Sequence, residues 1–190
     1  VLKAAAMLGE AARDAAGDEE TRTPRLALPE QDQAYSGLPR VVYVCQVIAE
    51  GLLHDNYIYG LNAQGCLPVW MTPGEVLDGS IVSGNCAAPC HKHSTYHHQN
   101  NPIVEDLLKE HGKSLNFLGV VVTPVKTALV EKVRMCTQAL KMVRLMAPHG
   151  AIISEDGGGN PENDLMVLDR LLEKEGIKTV LVTDEYAGSD

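Results

Sequence analysis

The sequence predicts an α/β protein with a partly parallel sheet and helices on its faces. Two observations carry this. From residue 100 onward, short apolar runs alternate with helix-like segments, and those runs are rich in β-branched residues with turn-forming residues between them. The composition fits: 190 residues with 45% hydrophobic and 22% charged side chains suit one globular domain or two small ones with a real core.

The elements follow in order. "VLKAAAMLGEAARDAA" reads as an N-terminal helix, and residues 18–40 carry prolines and charges that mark a linker or extended excursion. Residues 1–40 are therefore set apart from an α/β domain over 41–190, and the start inside a helix-like run suggests a fragment of a longer chain. "VVYVCQVIA" (41–49) predicts a buried strand. "CLPVWMT" (66–72) predicts a second, which Pro68 restricts to an edge or a strand start.

Asn101 followed by Pro102 predicts a capped helix that Gly112 stops, and "LNFLGVVVT" (115–123) the strand after it. In the next helix, Leu129, Val133, Cys136, Leu140, Val143 and Ala147 recur at steps of four and three and predict the buried stripe. The strand "GAIIS" (150–154), a glycine-rich turn, a helix opening at Asn160-Pro161 as at Asn101-Pro102, and the strand "IKTVLVTDE" (177–185) complete the pattern. Ligands of such sheets gather beyond the carboxyl ends of the strands, here marked by Thr123, Ser154, Glu155, Asp156, Thr183, Asp184 and Glu185.

A net charge of -9 without a Lys/Arg cluster argues against nucleic acid or an anionic membrane as partner. No apolar stretch approaches the roughly 18 to 20 residues of a membrane span, no signal peptide is legible, and a cytoplasmic location is expected. The odd set of five cysteines reads as reduced thiols.

Chemistry concentrates in "SGNCAAPCHKHSTYHHQNNP" (83–102). Cys86-x3-Cys90 and His93-x3-His97 have zinc-ligand spacing pairwise, but they lie too close together for a finger, which needs roughly a dozen residues between the pairs. A looser metal site using His91, His93, His97 or His98 stays open, as does a polar loop without chemistry. A further reading concerns Gly84-Asn85-Cys86. The Cys86 thiolate can attack the carbonyl of Asn85, and β-elimination then breaks the chain and leaves a residue that becomes a pyruvoyl group. The histidines supply bases, and Gly84 supplies backbone freedom. Cyclisation of the Asn85 side chain, releasing a free Cys86, is the competing route.

Elsewhere "EDGGGNPEND" is a weak match to a phosphate loop, and its Glu155 and Asp156 favour an amine over an anion. In "GLLHDNYIYG" the two tyrosines are expected on one packed strand face, beside His54 and Asp55.

Taken together, "GLLHDNYIYG", "DGSIVSGNC", "HQNNPIVEDLLKEHGKSLNFLGVVVT", "GAIISEDGGGNPENDL" and "IKTVLVTDEYAG" resemble the α/β-subunit proprotein of component B of glycine reductase and its sarcosine and betaine counterparts. The resemblance runs over residues 40–190. It implies cutting at Asn85-Cys86, with Cys86 converted to a pyruvoyl cofactor that forms a Schiff base with the amine of glycine or an N-methylated derivative. It also implies a selenoprotein subunit of component B as partner, together with the other reductase components. His98, within the family-like "HQNNP", is the candidate general base, followed by His97. Glu155 and His54 are candidates for holding the substrate amine and carboxylate. A D-proline reductase proprotein and a non-catalytic Cys/His metal-binding domain remain the alternatives.

Overall fold

A computed structural model of the chain describes residues 35–51, 55–84 and 93–183. The predicted N-terminal helix, most of the linker, and the predicted site residues His54, Asn85, Cys86, Cys90 and His91, with Asp184 and Glu185, lie outside the described residues.

The central strand β1 (Arg40–Ile48) and its neighbour β6 (Asn116–Val125) are apolar because both of their faces are covered. Three short strands, β2 (Asn56–Ile58), β3 (Leu61–Asn62) and β5 (Ile81–Ser83), and the edge strand β4 (Val69–Met71) lie between them in sequence. β7 (Gly150–Ser154) and β8 (Lys178–Val182) follow β6. The main sheet has the order β4-β6-β1-β7-β8; β6, β1, β7 and β8 are parallel and β4 runs antiparallel to β6. A partly parallel sheet is thus present as expected, with the Pro68-containing run placed at its edge.

Five helices accompany these strands among the described residues: α1 (Pro73–Leu77), α2 (Thr95–Gln99), α3 (Pro102–Glu110), α4 (Leu129–Met146) and α5 (Asn160–Lys174). Alternation along β1 divides the core. Val42 and Val44 pack with Leu118, Val121, Ala139, Val143, Leu165 and Leu168 beneath α4 and α5. Tyr43, Cys45 and Val47 face the other way, toward Ile58, Met71, Ile81, Val104 and Phe117. That second face is covered by α1, α3 and the small antiparallel sheet β3-β2-β5.

One glycine is required by contact. Gly119 has φ +104° beside an irregularity in β1–β6 register, and a Cβ there would stand 2.5 Å from Trp70 Nε1 and 2.9 Å from the Met71 carbonyl. The space is used by Trp70, whose Nε1 donates to the Leu118 carbonyl at 2.9 Å.

Four local expectations need correction. The buried face of α4 is Lys132, Met135, Cys136, Ala139, Val143 and Met146, whereas Leu129 is 67% and Val133 46% exposed and Ala147 ends the helix with φ +46°. The physical reason is that Lys132 turns inward to pair with Asp164 of α5 and to donate to the Asn160 carbonyl at 3.0 Å. Asn101 caps α3 by accepting from Ile103 and Val104, but Asn160 does not cap α5; its Nδ2 donates to Glu50 Oε1 and to the Lys126 carbonyl. Tyr57 and Tyr59 do not pack together on one face: both are exposed, and Tyr59 sits in a turn with φ +49°, donating to Glu75 Oε1. Thr123 is also not a strand end, since β6 continues to Val125.

The Lys132–Asp164 pair is almost wholly desolvated, at 5% and 2% side-chain exposure. Burial pushes the Asp164 carboxyl up, and the Lys132 hydrogen bond and charge oppose that push. Removing one partner strands the other inside. Asp164→Ala is expected to lower unfolding stability by about 3 to 5 kcal/mol in urea titration, whereas Lys132→Met with Asp164→Leu recovers most of the loss.

Candidate functional site

Two stretches flank residues 85–92 in sequence, and both are fixed by hydrogen bonds. On the upstream side, Asn56 and Ser83 are partners in the β2–β5 register, and Gly84 N–H donates to the Asp55 carbonyl at 3.0 Å. The Asp55 carboxylate in turn accepts from Glu50 N–H and Gly51 N–H, at 3.1 and 2.6 Å. Gly84 is required for closeness and not for backbone freedom: its φ is not left-handed, and a Cβ would stand 2.6 Å from the Asp55 carbonyl oxygen. On the downstream side, His93 N–H donates to Asp156 Oδ1 at 2.6 Å. Ser83 N–H also donates to Thr95 Oγ1 at 3.0 Å, which ties the two sides together.

Asp156 is the centre of this arrangement. It is fully buried in the turn after β7, and its Oδ2 accepts from Asn56 Nδ2 at 2.8 Å and from Ile48 N–H at 3.3 Å. Asn56 reaches onward through Oδ1 to His98 Nε2 at 3.2 Å. His98 is fully buried, and its Nδ1 has no hydrogen-bond partner among the described residues. Burial holds its imidazole down to a pKa of about 4; the Asp156 charge opposes that shift, and His93 and His97 add to it. His98 is therefore a neutral base at physiological pH.

His97, its neighbour on α2, has a different position. Its Nδ1 lies 3.1 Å from both Ser94 N and Ser94 Oγ, closing a capping box at the start of the helix. It also lines a cavity of about 310 Å³. Tyr43, His93, Asn101, Ser154, Glu155 and Thr183 share that lining, at the carboxyl ends of β7 and β8 where ligands of parallel sheets collect. Within it Tyr43 and Ser154 are hydrogen-bonded at 2.6 Å, and Asn101 Nδ2 donates to the Tyr43 hydroxyl at 3.3 Å. Burial raises the Tyr43 hydroxyl well above its ordinary pKa and the adjacent Cys45 thiol to about 11, so both stay protonated.

The structure thus brings together His97 and Glu155 on one cavity, with His98 one residue behind, while the described residues contain no group of three or more His, Cys, Asp or Glu arranged to hold a metal. No helix among them is long and apolar enough to cross a membrane. Two polar residues take roles in the structure that the sequence did not show. Asp156 was expected with Glu155 to favour an amine, but it is fully buried and accepts from three N–H groups of the protein instead, and Asn56 carried no signal beyond opening a short strand. Both acquire their role through pairings more than 40 residues apart in sequence, Asn56 with His98 and Asp156 with Asn56.

The depressed His98 pKa predicts a pH dependence. An unfolded histidine takes up a proton near pH 6.5, whereas the folded one refuses it until about pH 4. Stability from this group is hence full above pH 6.5, falls as the pH drops toward 4, and changes no further below. Urea unfolding at pH 7 and 4.5 should show the parent protein losing on the order of 2 kcal/mol more than His98→Gln over that interval.

Comparison with known proteins places these residues in a family. The model for glycine/sarcosine/betaine reductase component B subunits matches residues 1–190. The glycine reductase complex component B subunits alpha and beta of Acetoanaerobium sticklandii are 44% identical over 189 residues, covering 100% of this chain and 44% of that protein. The sarcosine reductase complex component B subunit alpha of Peptoclostridium acidaminophilum is also 44% identical over 189 residues, with the same coverage. The D-proline reductase proprotein of A. sticklandii is 26% identical over 155 residues, covering 76% of this chain and 24% of that protein. The chain spans less than half the length of these relatives, and no solved structure matches it. The chain belongs to the family of glycine/sarcosine/betaine reductase component B subunits.

Proposed function

We propose that this chain is part of a pyruvoyl-dependent amino-acid reductase, cut at Asn85-Cys86, which binds the amine of glycine or an N-methylated derivative and presents it to a selenoprotein partner for reductive C–N cleavage. The observation that carries the reading is the buried, neutral His98, whose Nδ1 has no partner among the described residues, together with the hydrogen bonds that hold Gly84 and His93, the residues flanking 85–92.

Two features of the described residues support a pyruvoyl group on Cys86. Gly84 sits in a gap that a Cβ would fill, so the chain enters the Asn85-Cys86 bond held against the Asp55 carbonyl. His98 Nδ1, without a partner among the described residues, is a base that needs no prior deprotonation. In processing, His98 takes the proton of the Cys86 thiol, and the thiolate attacks the Asn85 carbonyl. His97 is the less available candidate because its Nδ1 is already engaged in the Ser94 cap. A pyruvoyl carbonyl supplies an electrophile for a substrate amine. Glu155 lies on the cavity where a carboxylate attracts an ammonium group, and the adjacent Tyr43–Ser154 pair offers neutral polar contacts there.

The D-proline reductase alternative rests on a weaker likeness, 26% against 44%. Glycine and sarcosine are not separated by identity, since both relatives stand at 44%.

The test is the intact mass of the full-length protein purified without oxygen. Two fragments meeting at Asn85-Cys86, the downstream one blocked with a pyruvoyl mass, are expected, with none from Cys86→Ser. His98→Gln should slow processing by about 100-fold or more, and His97→Gln by much less. A free N-terminal Cys86 would replace the mechanism with asparagine cyclisation, and an uncut chain holding stoichiometric zinc or iron would return the segment to metal binding.

A further inference from the structure

We infer that Asp156 and Asn56 are positioning residues that lock His98 in the Nε2–H tautomer and leave Nδ1 as its base nitrogen. The argument starts from which groups can donate. Asn56 faces two acceptors, Asp156 Oδ2 at 2.8 Å and the Ile48 carbonyl at 3.2 Å. Only the amide nitrogen can satisfy both, which fixes the orientation of the side chain. Its Oδ1 is then the atom turned to His98, and an acceptor at 3.2 Å demands that Nε2 carry the hydrogen. A neutral imidazole has one hydrogen, so Nδ1 keeps its lone pair.

Asp156 makes this orientation stable in both directions. Its Oδ2 side holds Asn56 and Ile48 N–H, while Oδ1 holds His93 N–H, five residues before His98 in the chain. The carboxylate thus fixes the amide that reads the histidine and the chain segment that leads into its helix. His93 also lies edge-on to the His98 ring, with centroids 5.6 Å apart, which resists rotation of the imidazole. An aspartate bonded directly to His98 would favour the charged ring; an intervening amide selects a tautomer without adding a formal charge next to it.

The tautomer assignment stands on geometry alone, and its consequence for processing rests on the function proposed above. Long-range nitrogen-15 spectra of histidine-labelled full-length Cys86→Ala protein, with His98 assigned by loss of its signal in a His98→Gln derivative, read the tautomer in the uncut state. At neutral pH the Nε2–H form is expected, and Asn56→Leu should give mixed tautomers or the Nδ1–H form. In the chain that retains Cys86, Asn56→Leu should slow processing at least about 10-fold. A predominantly Nδ1–H His98 in the parent sequence overturns the inference, whatever the processing rate. So does an unchanged tautomer in Asn56→Leu. If the Nε2–H form is found but His98→Gln processes at the parent rate, the positioning holds and the assignment of His98 as the processing base fails. The two failures are therefore separable, and the reading of the tautomer in the Cys86→Ala protein does not depend on Asn56→Leu folding.

Discussion

The buried carboxylate of Asp156 is the constraint on which the rest of the site depends. It sits where the glycine-rich turn leaves β7, and it accepts hydrogen bonds from the end of β1, the start of β2 and the approach to α2. Burying a carboxylate costs several kcal/mol, so a fully inaccessible aspartate persists only when N–H groups converge on it. That convergence draws three segments to one point. The backbone at Gly157 accommodates it: φ is +89°, and a Cβ there would stand 2.7 Å from Ile48 Cδ1.

The polar interior continues from that point in two directions. Through Asn56 it reaches His98, and beside it Ser154 holds Tyr43, which in turn receives Asn101, the cap of α3. Asn101 thus serves α3 with Oδ1 and the cavity wall with Nδ2. A helix cap and a site residue are here one side chain, which couples the placement of α3 to the geometry of the cavity.

Legibility in the sequence followed the range of the interaction. The edge strand at Pro68, the strand Gly150–Ser154, the Asn101 cap and the parallel core were readable because each depends on neighbours in the chain or on apolar runs long enough to show a period. The α4 stripe misled because burial there is decided by a distant charge, Asp164, which turns Lys132 inward at the expense of Leu129 and Val133. Asn160 misled in the same way, since partners on Glu50 and Lys126 outcompete the local cap that its identity with Asn101 suggested. In the site, His97 and His98 were legible as candidate bases and Glu155 as a candidate for holding an amine. Asn56 and Asp156 were not, because nothing local distinguishes an asparagine that orients a histidine from one that ends a turn.

The two adjacent histidines show how the fold separates tasks that the sequence presents as one cluster. Successive residues on a helix point about 100° apart, so α2 cannot give His97 and His98 the same surroundings. One rotates to the cavity with its Nδ1 engaged at the helix start, and the other rotates into the protein against Asn56. Desolvation is the main reason His98 stays neutral, with the His93 and His97 charges acting in the same direction and Asp156 against them. In the processing proposed for Cys86, the base would have to be neutral in the resting state and fixed in ring orientation, and the surroundings of His98 support both.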